Sequence, residues 1–331
     1  MTSKWHVIET LIPDEMSVVW ARGRQAAFQS VPRLLRHLGI DPTPFVEESR
    51  ISRAGFDRTV TDTKGKQRRV ITTVSPGLDG IIHAVNLWVG DVGEEPGAEP
   101  IIGPMAVDLR TKRIASTPAC YQMSAVDMTG YGSDRDAGMF LHKVTGFDQV
   151  TELVNMIVEP EPGKRFQGTL TVKHDDGRLM NWQGIARING DMSMLRGFAQ
   201  DLSAFDPPTI SSAELARMDI GTPATRSAAV LLGFPVDGKS PPLFCFWLTK
   251  VPEALANEDM GHSWEIHPDS LDELWRAQRL LAGSVSPQAT LEVSAKIRSP
   301  QRDWVDCTMA LSKYPTENIG ANILVTRLTI T

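Results

Sequence analysis

Phe166–His174 (FQGTLTVKH), Leu179–Ile188 (LMNWQGIARI) and Met194–Leu202 (MLRGFAQDL) are apolar-rich runs separated by turn residues. Leu170 and Val172 fall on one face of an alternating segment, the period that extended backbone imposes. Asp175-Asp176-Gly177 supplies the first turn, because Gly tolerates positive φ and Asp bonds its own backbone. Asn189-Gly190 begins the second. The stretch predicts an antiparallel meander.

The pattern recurs on both sides. Leu291, Val293, Ala295 and Ile297 alternate strictly, Ser299-Pro300-Gln301 breaks the strand, and Trp304–Leu311 and Ile323–Ile330 read as the next two. Phe56–Thr61, Arg68–Val74 and Ile81–Val89 give the same order, around turns at Lys64-Gly65-Lys66 and Asp79-Gly80. Helical spacing precedes each meander. Ser270–Ala282 has Ser270 and Glu273 at capping-box spacing, with Leu271, Leu274, Trp275 and Leu281 on one face. Gly146–Val158 repeats this, and Ala26–Leu38 does so with Pro32 against it. Met105–Leu109 and Leu243–Leu248 read as opening strands. Gly90–Pro104 and Phe205–Thr225 are rich in Gly and Pro and read as linkers. They divide the chain into residues 1–92, 100–206 and 222–331, each of ordinary domain size. The expected fold class is α+β: three tandem domains, each a central antiparallel sheet with flanking helices.

Arg196-Gly197-Phe198-Ala199-Gln200-Asp201-Leu202-Ser203 resembles the last strand of PAS domains. His267-Pro268-Asp269 resembles the His-Pro-Asp that many of them carry before a helix. The whole layout resembles a group of actinobacterial proteins of unknown function with a tandem PAS-GAF-PAS arrangement. The resemblance implies sensor-type modules, with the middle block either PAS-like or GAF-like. It also implies pairing through sheets or N-terminal helices, hence a homodimer.

Composition narrows the function classes. The formal net charge is -6, against the basic face expected of a nucleic-acid binder. Lys64, Lys66, Arg68 and Arg69 flank a turn and read as a solvated hairpin. Three scattered cysteines, Cys120, Cys245 and Cys307, form no CxxC or Cys/His cluster. Neither disulfide framework nor zinc site is indicated, and reduced thiols suit the cytoplasm. No run approaches the ~20 apolar residues that span a bilayer, so the chain is expected not to be transmembrane.

Catalytic signatures are missing: no GxxxxGK[ST], GxSxG or HExxH occurs. His142 is the nearest candidate for the helix histidine with which some PAS domains hold haem. Its other reading is a capping or surface histidine. Cys120 lacks the flanking sequence of a flavin-adduct thiol and reads as structural. Gly130–Gly138, with Asp134 and Asp136, reads as a plain connection, a mobile lid or a contact surface. No cofactor and no metal are expected. Phe244, Phe246, Trp247, Trp264 and Trp304 cluster in the last block, where they line a small-molecule pocket or form ordinary core. The expected function is non-catalytic signalling or scaffolding through a protein partner, with small-molecule sensing as an added role. The alternative is an enzyme with an unrecognised active site between helices and sheet.

Overall fold

A computed structural model describes residues 4–12, 14–35, 38–124, 131–132, 134–136, 144–174, 176, 178–208, 226–249, 251–256, 264–286, 288–299, 302–314 and 322–331. The first unit runs β1 (Trp5–Ile12), β2 (Glu15–Ala21), β3 (Arg24–Ser30), α1 (Val31–Leu35), α2 (Thr43–Ser52), β4 (Phe56–Thr61), β5 (Gln67–Pro76) and β6 (Ile82–Asp91). Its six-stranded sheet has the order β3-β2-β1-β6-β5-β4. The second runs β7 (Ile102–Asp108), β8 (Arg113–Ser116), α3 (Pro118–Met123), β9 (Asp134–Asp136), β10 (Val144–Gly146), α4 (Val150–Val158), β11 (Arg165–Lys173), β12 (Leu179–Ile188) and β13 (Met194–Asp201). Its seven strands lie in the order β10-β11-β12-β13-β7-β8-β9. The third runs β14 (Ser227–Gly233), β15 (Leu243–Trp247), β16 (Glu265–Ile266), α5 (Pro268–Gly283), β17 (Thr290–Arg298), β18 (Val305–Lys313) and β19 (Ile323–Ile330). Its order is β15-β14-β19-β18-β17-β16. In each sheet the unit's first strand lies antiparallel beside its last: β1 with β6, β7 with β13, β14 with β19.

This architecture corrects the expected fold class. The chain is mostly β, three antiparallel sheets of which two are half-barrels, and not an α+β array of PAS or GAF domains with flanking helices. The sensor and signalling terms lose the support of that resemblance. The predicted helix Ala26–Leu38 shows the reason. Its first part is strand β3, and the helix that follows covers only Val31–Leu35, with Pro32 in its first turn. The strands β1 and β2 escaped the periodicity test because β1 is buried on both faces and shows no alternation. The predicted start of α5 also shifts. His267 is its N-cap and its Nδ1 accepts the Asp269 N–H at 3.2 Å, while the Ser270 hydroxyl accepts the Lys296 N–H at 3.1 Å.

The sheets share their cores. Val7, Leu11 and Trp20 of the first sheet lie in one buried cluster with Ile185, Phe198 and Leu202 of the second unit. The second unit's cluster, which includes Val154 and Val158 of α4, takes in Leu231, Phe246 and Ile323 of the third. A Cβ on Gly233 would lie 2.6 Å from Val158 Cγ1, so glycine there is what lets α4 rest against β14. The linker expected at Gly90–Pro104 is strapped to the first sheet. Trp5 Nε1 donates to Gly97 O at 2.9 Å, and Asn86 Nδ2 donates to Glu99 Oε1 at 2.8 Å and Pro100 O at 3.1 Å. No described helix is long and apolar enough to cross a membrane.

Candidate functional site

Two charged residues interrupt apolar strands, and the fold brings them together. Arg187 on β12 is 1% exposed and Glu9 on β1 is wholly buried. Such residues are almost never fully buried unless paired. Arg187 Nη2 donates to Glu9 Oε1 at 2.5 Å and to Ser17 Oγ at 2.9 Å. Its Nη1 donates to Glu15 Oε2 at 2.5 Å. One guanidinium thus faces two carboxylates across the seam between the first two sheets.

The carboxylates differ in environment. Glu15 is half-exposed and water solvates it. Burial pushes the Glu9 carboxyl above its ordinary value of 4.5; Arg187, the Leu11 N–H and Ser17 oppose that without overcoming it. The sign of the pH effect follows. A carboxyl favoured in its protonated form by folding contributes its full stability below the unfolded-state pKa, and that contribution is lost as pH rises through the folded-state value. Glu9→Gln fixes the neutral form. Its urea-unfolding free energy should therefore gain on that of the natural protein as pH rises above about 4.5. A constant difference across that range would show that Glu9 does not titrate there.

A second polar clasp crosses the same seam. Arg196 Nε on β13 donates to Asp79 Oδ2 at 2.7 Å. His83 is fully buried; its Nδ1 lies 2.8 Å from Gly197 O and therefore carries the proton, while Nε2 lies 3.5 Å from Asp79 Oδ1. Burial alone would push Asp79 up, but the nearby His83 ring, the hydrogen bond from Arg196 and the Ile81 N–H hold it well below the usual carboxylate range. Gly77 has no room for a side chain, since a Cβ would run into the His83 ring. The arrangement resembles an acid–base pair in composition. In geometry it is a packing device, with its imidazole N–H held by a carbonyl.

Beside the Arg187 centre a cleft of about 380 Å³ opens to solvent. Asp14, Glu15, Met16, Phe28 and Pro32 line it from the first unit and Arg165 from the second. Phe28 has φ 46°, unusual for an aromatic residue. It lies in a bulge, where pairing jumps from Val18↔Gln29 to Trp20↔Gln25. The bulge turns its ring toward two guanidiniums, with Arg187 at 5.2 Å and Arg165 at 5.6 Å from the ring centroid.

The sequence-predicted aromatic residues divide into three groups. Phe244 and Trp247 stack at 5.8 Å, and Trp264 meets Trp247 at 5.1 Å while its Nε1 donates to Leu255 O at 2.8 Å. Phe246 belongs to the other face, with Leu231 in the core shared with the second unit. Regular strand alternation over Leu243–Trp247 would put Phe244 and Phe246 on one face. A bulge overturns that, because Leu231 pairs with Phe246 and the adjacent Leu232 with Phe244, leaving Cys245 as the extra residue. Trp304 stands apart, edge-on to His267 at 4.7 Å and under the Arg298 guanidinium at 4.4 Å. His142 lies outside the described residues. The expected connection Gly130–Gly138 contains strand β9, paired with β8. The basic cluster faces carboxylates: Lys66 and Arg68 pair with Asp91, and Arg69 pairs with Asp57 at 2.7 Å. The Arg187 centre was missed, although its signal was present as one charge inside each of two apolar strands.

All three cysteines are buried free thiols. Burial pushes Cys120, Cys245 and Cys307 each up to about 12. Since the thiolate is the reactive form, a disulfide-exchange reagent at about pH 8 should label none of them in the native protein. All should react after denaturation. Rapid native labelling of any one would contradict the buried placement.

The class defined here is an antiparallel three-sheet protein whose sheets are joined by apolar and ionic seams. Residues 4–98 match the family model described as Rv3651-like, N-terminal. Across 99% of this chain and 96% of the other, the fold is similar to the crystal structure of an uncharacterised protein from Mycobacterium tuberculosis, at 18% identity and a TM-score of 0.72. A second solved structure, a double mutant of transferrin binding protein B from Haemophilus parasuis, has 9% identity and a TM-score of 0.13, too low to carry an argument. No curated protein matches the sequence. The likeness to actinobacterial proteins of unknown function holds at that level, without the PAS-GAF-PAS arrangement.

Proposed function

We propose that this chain is a non-catalytic scaffolding protein that works in the cytoplasm through protein–protein contacts. The observation that carries this reading is the interlocking of the three sheets. Buried clusters cross both seams, and Arg187 joins the first two units by ion pairs at 2.5 Å. Separate modules on flexible linkers would move independently. Shared cores instead hold several surfaces in fixed relation, which favours simultaneous or composite recognition of a partner, including a second copy of the chain. The three buried thiols accord with a reducing compartment.

The test is affinity purification of the tagged full chain from its native host, with the Arg187→Met variant in parallel and light scattering for self-association. Stoichiometric partner binding or dimerisation that weakens in the loosened variant is the expected result. A monomer with no stoichiometric partner would overturn the proposal.

A further inference from the structure

We propose that the cleft between the first two units binds a small zwitterion, of the class of an apolar α-amino acid. This inference is independent of the scaffolding reading. The walls of the cleft carry opposite charges from different units. Asp14 stands on the β1–β2 turn, Glu15 opens β2, and Arg165 opens β11. Arg165 and Glu15 approach only to 3.5 Å and both are about half-exposed, so they do not form a tight pair with each other. Glu15 is anchored from behind by Arg187 through Oε2. A ligand carboxylate fits the free edge of the Arg165 guanidinium, the geometry for which arginine is suited. A ligand ammonium fits Asp14 and the outer oxygen of Glu15. Met16, Phe28 and Pro32 supply apolar lining.

Two features argue for a built site. The volume, about 380 Å³, falls in the range of small-molecule sites, roughly 300–1,000 Å³. The bulge and left-handed φ of Phe28 place an aromatic ring at the cleft wall, against the intrinsic preference of the residue. An observed outlier of that kind is a reason to look for a ligand.

The experiment is an NMR titration of the full chain with L-leucine and, separately, with its N-acetyl amide, which has neither charge. Saturable shifts confined to residues 14–17, 28–32 and 165 are expected with L-leucine. Affinity should be at least about tenfold lower for the neutral analogue, the order expected for losing charge-assisted hydrogen bonds. Arg165→Met and Asp14→Asn change exposed side chains and should each weaken binding by a similar factor, with the rest of the spectrum unchanged. No saturable shift with leucine, phenylalanine or glycine betaine would overturn the proposal. Equal binding of the neutral analogue would do so too, as would shifts produced only by a basic peptide.

Discussion

Arg187→Met should lower the unfolding free energy by about 3–5 kcal/mol, the usual cost of removing one partner from a buried ion pair. The effect does not arise from the intrinsic strength of the pair. Desolvating Arg187 and Glu9 offsets most of their attraction, and an apolar pair of similar volume is often as stable. The loss arises because Glu9 stays behind, wholly buried, with only the Ser17 hydroxyl and the Leu11 N–H to serve it. Glu15 suffers less, since it is half-exposed. Denaturant unfolding of the single variant and of Glu9→Leu/Arg187→Met separates these causes. The double variant should recover most of the loss, a strongly non-additive result for residues in contact. Additive losses would mean that packing around the Arg187 stem, rather than an orphaned carboxylate, carries the effect.

The same centre shows what the sequence could and could not disclose. Strands β11, β12 and β13 were legible because turn residues bound each run and Leu170 and Val172 alternate between the turns. Glu9 and Arg187 were visible as isolated charges in apolar strands. Their pairing was not, because 178 positions separate them and no local period links them. The sheets' mutual burial had the same effect on β1. A strand covered on both faces loses its alternation, so its apolar residues announced burial without announcing a strand. Helices were overestimated for a related reason. Apolar spacing in Ala26–Leu38 fits a helix, but Phe28 belongs to a bulged edge strand whose irregular register no periodic template describes.

The cleft was illegible for another reason. Asp14, Phe28 and Arg165 are unremarkable in sequence, and only the docking of two sheets brings opposite charges to one opening. The aromatic group was half legible. Phe244, Trp247 and Trp264 do gather, as composition suggested. The displaced member is Phe246, moved by the single extra residue Cys245.

That displacement yields the second large effect. Phe246→Ala and Phe244→Ala should each cost about 3–5 kcal/mol, as expected for emptying a buried aromatic site. Phe244 is 2% exposed and Phe246 9%, so neither site drains readily into solvent. The two losses should differ in where they are felt. Phe244 packs inside the third unit's own cluster, with Trp264, Leu274 and Met309. Phe246 shares its cluster with Val154 and Val158 of α4 and so belongs to the seam. Hydrogen exchange under native conditions reads local opening directly. Phe246→Ala should raise exchange in residues 150–158 as well as in β14 and β15. Phe244→Ala should raise it within the third unit and leave residues 150–158 protected. Identical exchange maps would mean that Phe246 does not hold the second and third units together. In that case the Gly233–Val158 approach, where a Cβ has no room, would be the contact on which that seam depends.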